Sequence, residues 1–69
     1  MAVPEIRPGQ IWRSDEGGDE WLVTKTYREL LDVYAILRKA GGPEEEVRRL
    51  KVQRDAEGAR LPGFVLIEG

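Results

Sequence analysis

Three groups of side chains in this sequence could do chemistry, and each has to be weighed against what an ordinary surface would do with it. Carboxylates come first. Asp15, Glu16, Asp19 and Glu20 crowd one short stretch, and Glu44, Glu45 and Glu46 another. Paired carboxylates act as general acid and base when burial drives their pKa values apart, and clustered oxygens can hold a divalent cation. Here Gly17 and Gly18 interrupt the first group and Pro43 opens the second. Both therefore read as solvated turns, and the ligand spacing of an EF-hand is absent. Ser14, the only serine, stands beside Asp15, but the chain has no histidine to take its proton. The glycine pair lacks the lysine and hydroxyl of a phosphate loop.

The second group is basic: Arg38, Lys39, Arg48, Arg49, Lys51, Arg54 and Arg60. A strand over residues 47–54 with Leu50 and Val52 inward sends Arg49 and Lys51 outward together. A neighbouring strand could add Arg38, and such a stripe suits phosphates as well as an ordinary solvated face. The third group is aromatic: Trp12, Trp21, Tyr27, Tyr34 and Phe64. Aromatic grooves take peptides or bases, but a short chain needs its large residues for a core. Trp21 and Tyr27 are the two expected to keep some exposure. The candidate surface for a partner or a nucleic acid is thus Trp21, Tyr27, Arg38, Arg49, Lys51 and Arg54.

Composition narrows the chemistry further. With 69 residues and neither cysteine nor histidine, the chain has no disulfide, no thiol nucleophile, no histidine base and no zinc site built from those ligands. The expectation is a non-enzyme with no catalytic, metal or cofactor residues. Net charge is −2, from 11 basic and 13 acidic residues, which argues against a general nucleic-acid coat protein. The charge is uneven, however. Residues 1–37 hold four basic and seven acidic residues, whereas 38–60 hold seven and five, so a locally basic face survives. Charged residues make up 35 % and asparagine is missing, a composition that resembles thermophilic proteins. The longest apolar run, Val33 to Leu37, is five residues against the roughly 20 of a membrane span. Met1 to Glu5 lacks the pattern of a signal peptide, so a cytoplasmic protein is expected.

The elements that must position these groups follow from breakers and periodicity. Residues 1–8 form an extended lead-in, and 9–69 one small domain. Gln10–Ser14 and Glu20–Thr26 read as strands joined by a hairpin turn whose two glycines supply positive φ, which brings Trp12 towards Trp21. Residues 26–42 are ambiguous. Thr26 and Glu29 match a capping box, and Tyr27, Leu30, Leu31, Tyr34 and Leu37 share a helical face ended by Gly41-Gly42. The same stretch alternates like a strand from Val33 to Leu37, with a helical turn at Tyr27 to Asp32. Leu50 and Val52 mark a further strand, Asp55–Gly58 a hairpin loop, and Ala59–Ile67 a last strand broken by Pro62-Gly63.

In this order the landmarks Pro8-Gly9-Gln10-Ile11-Trp12, Leu22-Val23-Thr24, Tyr34-Ala35-Ile36-Leu37-Arg38, Leu50-Lys51-Val52-Gln53-Arg54 and Leu61-Pro62-Gly63-Phe64 resemble the small SH3-like β-barrels of bacteria and phage. The opening strand is also similar to that of MazF-type ribonuclease toxins, but no arginine-proline pair follows the first hairpin and the chain is much shorter, so no catalytic residue is carried over. The resemblance implies a mainly β, five-stranded SH3-like barrel with a short helical turn. The residues alone leave a ββαββ arrangement open, with a helix at about 27–40. The function expected is that of an interaction module for a protein partner or for its own copy. A homodimer suits its thin core. The alternative is an RNA- or DNA-binding accessory protein.

Overall fold

Side chains between Thr26 and Lys39 decide the architecture, and they decide it by burial. Ala35 and Leu37 are fully buried, whereas Tyr34, Ile36 and Arg38 between them stay half-exposed. That period of two is the pattern of a one-sided strand. The computed structural model describes residues 2–69, and among them every regular element is a strand. These are β1 (Ile11–Ser14), β2 (Glu20–Glu29), β3 (Asp32–Lys39), β4 (Val47–Lys51), β5 (Gln53–Asp55), β6 (Gly58–Arg60) and β7 (Phe64–Glu68).

The expectation of a mainly β chain holds, and the helix at 27–40 is overturned. The helical turn at Tyr27 to Asp32 is overturned with it. Thr26, Tyr27, Arg28 and Glu29 pair instead with Ala35, Tyr34, Val33 and Asp32 across an antiparallel ladder. The physical reason is the company those residues keep. Val23, Thr24, Thr26, Tyr27, Val33, Tyr34 and Ile36 fit a pleated surface, and strands on both sides of β3 bury Ala35 and Leu37 more fully than an isolated helical stripe could. Leu30 and Leu31 are all that remains of the supposed turn.

Five strands form one antiparallel sheet in the order β4-β3-β2-β1-β7. The sheet is not closed, and β4 and β7 are its edges. Trp12 faces Trp21 in the β1–β2 register, as the hairpin reading anticipated, and Gly17 and Gly18 carry φ of 89° and 73° in the turn between them. A bulge at Thr24 shifts the β2–β3 register, and the Thr24 hydroxyl donates to the Ile36 carbonyl at 3.1 Å.

Two of the expected strands are each split in two. Val52 leaves the ladder, is buried, and donates its amide to Val33 at 2.8 Å. Pro62-Gly63 is a turn, closed by the Phe64 amide on the Leu61 carbonyl at 3.0 Å. Between these two corners β5 and β6 form a separate two-stranded sheet, which lies over the core through Ala59 and Leu61.

The lead-in belongs to the fold. Val3 and Ala59 exchange backbone hydrogen bonds at 2.8 and 2.7 Å, and Ile6 enters the core beside Trp12, Trp21, Val23, Leu37 and Phe64. Gln10 fastens this segment. Its Oε1 accepts from the Arg7 amide at 3.0 Å and from the Trp12 indole at 3.1 Å, while its Nε2 donates to the Glu5 carbonyl at 3.0 Å.

Candidate functional site

Alternation along β1 to β4 separates two faces. Trp12, Trp21, Val23, Ala35 and Leu37 point into the core. The other face carries Leu22, Lys25 and Tyr27 from β2, Tyr34, Ile36 and Arg38 from β3, and Val47, Arg49 and Lys51 from β4, as the cross-strand registers require. Of the six residues singled out from sequence, Tyr27, Arg38, Arg49 and Lys51 meet on this outward face. Arg54 lies off it on β5. Trp21 is on the opposite side, only 3 % exposed, and this corrects the expectation that it would be open to a partner. Arg48 covers its ring, with Cζ 4.8 Å from the centroid, and its indole N–H has no partner among the described residues.

On the outward face the side chains form a ladder across three strands. The rings of Tyr27 and Tyr34 stack with centroids 5.5 Å apart and an angle of 22°. Arg49 Cζ sits 4.3 Å over the Tyr34 ring, and Lys25 Nζ lies 6.0 Å from that of Tyr27. Such contacts draw the cation to the negative face of the ring. Hydrogen bonding to Tyr34 first, and then the nearby groups of Tyr27 and Glu29, also raise the Arg49 pKa above its ordinary value. The expected outcome of a double-mutant cycle is positive coupling. Arg49→Met lowers the urea midpoint more in the parent chain than in Tyr34→Leu; equal losses in both backgrounds would show that the ladder contributes nothing.

The ion pairs show which cations are engaged. Lys39 meets Asp19 and Glu46, each at 3.6 Å, Lys51 meets Asp32 at 3.4 Å, Arg60 meets Asp55 at 2.7 Å and Glu57 at 3.2 Å, and Arg7 meets Glu5 at 3.2 Å. Among the described residues seven cations make no ion pair, Arg13, Lys25, Arg28, Arg38, Arg48, Arg49 and Arg54. Three of them, Lys25, Arg38 and Arg49, are on the outward face with the tyrosines.

The acidic turns offer less. Asp15, Glu16, Asp19 and Glu20 are exposed, and the Ser14 hydroxyl is taken up within its turn, donating to the Glu16 carbonyl at 2.8 Å and accepting from the Glu16 amide at 3.2 Å. Among the described residues no group of three or more Asp or Glu side chains is placed to hold a metal ion. A cavity of about 570 Å³ lies between the lead-in and Leu66, but the charged groups on it, Glu5 and Arg7, pair with each other.

One feature escaped the sequence reading. Glu29 pairs with Asp32, so Leu30 and Leu31 alone turn the chain at the end of the β2–β3 hairpin, 91 % and 95 % exposed. Leu30 has φ of 58°, a conformation that glycine or asparagine normally supplies and that costs another residue about 1–2 kcal/mol. Beside this tip is a groove of about 300 Å³ lined by Leu31, Asp32, Val33, Lys51, Val52, Gln53 and Arg54. The tyrosine pair stands three ladder positions from the tip. Tip, groove and outward face are thus contiguous. Compared with protein families, curated proteins and solved structures, the chain matches none of them.

Proposed function

We propose that this chain is a non-enzymatic interaction module on a small SH3-like barrel, and that it meets a protein partner or its own copy through the β2–β3 hairpin tip. The return of β7 to β1 beside the meander β1 to β4 supports the barrel reading. The observation that carries the function is the pair of exposed leucines. Adjacent large apolar side chains in solvent, one of them at positive φ, contribute nothing to the folded monomer, and breaches of local rules concentrate where a protein binds. A photoreactive residue at position 31 is expected to give a discrete cross-linked product in the native cell, whereas one at Glu16, on the exposed β1–β2 turn, gives none. Equal or absent products at both positions would remove the reading.

The unpaired cations favour a second reading, an RNA- or DNA-binding accessory protein. Lys25, Arg38 and Arg49 present free N–H donors along one face, and phosphate contacts need no more than that. Titration of mixed single-stranded oligonucleotides should then show binding that weakens steeply with salt, and Arg38→Gln and Arg49→Gln should each lower the salt slope by about one. No binding at low salt eliminates this reading.

A further inference from the structure

The tip and the groove beside it complement each other in two respects. The tip offers Leu30 and Leu31, both exposed, and the groove has an apolar floor of Val33 and Val52. Next to the tip Glu29 makes no direct ion pair among the described residues, although its charge reaches Arg49, and on the groove wall Arg54 makes none, the Asp32 carboxylate there being paired with Lys51. The two features share Leu31, which lines the groove of its own chain. A donor and an acceptor this close together on one surface meet the condition for an isologous contact, in which each copy gives what the other receives.

We infer that the β2–β3 hairpin tip is a self-docking element: Leu30 and Leu31 of one copy enter the groove of a second, and Glu29 of each meets Arg54 of the other. The inference deepens the interaction-module reading and rests on it. Pairing through the sheet edge at β4 is disfavoured, because an antiparallel match of that strand with itself centred on Arg49 places the two Arg49 side chains opposite each other. A membrane surface suits the tip poorly, since Glu29 and Asp32 flank the leucines and would face anionic headgroups. The contact is small, in the range below about 1,200 Å² typical of weak association, so the dimer belongs at high protein concentration.

Sedimentation velocity of the full chain over a range from about 10 µM to 1 mM is expected to show a monomer–dimer equilibrium. Leu30→Gly/Leu31→Ser should stay monomeric throughout, yet unfold at a higher urea concentration than the parent when both are monomeric, because glycine adopts the positive φ without strain. Those opposite signs separate lost docking from lost folding. Glu29→Arg and Arg54→Glu should each weaken the dimer by about tenfold, and their combination should restore it. A parent chain that is monomeric at 1 mM, or a dimer that survives loss of the leucines, overturns the inference. The second result would point to the unpaired edge of β7, where Val65, Leu66 and Ile67 carry no charge. Either result removes the own-copy arm of the interaction reading, while cross-linking of position 31 to a different protein and oligonucleotide binding judge the rest.

Discussion

Gly58→Ala is expected to unfold much of the population at room temperature. A Cβ at this position falls within 2.4 Å of the Val3 carbonyl oxygen and 3.1 Å of its carbon, and both are backbone atoms that no rotamer change can move aside. That oxygen accepts the Ala59 amide, so relief of the clash breaks the bridge between the lead-in and β6. Ile6 then loses its place over the core. The φ of 131° adds strain of its own. Together these amount to about 3 kcal/mol or more, against a total stability of roughly 3–10 kcal/mol for a chain of this size. Gly63→Ala is the control. Gly63 has φ of 81° but nothing within 4 Å of its added Cβ, so the loss should be only the strain, about 1–2 kcal/mol. Urea denaturation followed by tryptophan fluorescence measures both, and similar midpoints for the two variants would show that the lead-in is not fastened at Val3.

This contrast also marks what the sequence could and could not disclose. Gly58 was legible as a turn residue, because an Asp-Ala-Glu-Gly run between strand-forming segments leaves few alternatives. Its collision with Val3 was not, since 55 positions separate the two and only the folded chain joins them. The first hairpin was equally plain, with Trp12 opposite Trp21 across a glycine turn. Residues 26–40 misled because Tyr27, Leu30, Leu31, Tyr34 and Leu37 satisfy a helical stripe on paper. Leu30 and Leu31 turned out to face solvent and to bury nothing, and without them the stripe has no centre. The outward face was half legible. Period two places Arg38, Arg49 and Lys51 together, but the expectation of partial exposure fails for Trp21. Its position is fixed by a parity that can be counted, since Trp21 lies two residues from Val23 and both fall on the buried side. Arg54 escaped the stripe when Val52 left the ladder, a corner that no Gly or Pro announces.

Trp12→Ala should abolish the folded state. Trp12 is fully buried, lies opposite Trp21 on one side and Leu66 on the other, and belongs to the one core of the described residues. Truncating a large aromatic side chain in such a place costs about 3–5 kcal/mol, which is close to everything a domain of this length has. The loss is not of packing alone. The indole N–H donates to Gln10 Oε1, and that amide in turn holds the Arg7 amide and the Glu5 carbonyl, so Trp12 is also the inner end of the chain of contacts that keeps the lead-in down. Trp12→Phe separates the two contributions. It retains most of the apolar bulk, leaves Gln10 its two backbone partners, and removes one buried hydrogen bond, for an expected cost of about 1–2 kcal/mol. Near-ultraviolet circular dichroism should accordingly be lost in Trp12→Ala but retained, with a lowered urea midpoint, in Trp12→Phe. A cooperative transition in Trp12→Ala near that of the parent would mean that stability resides elsewhere.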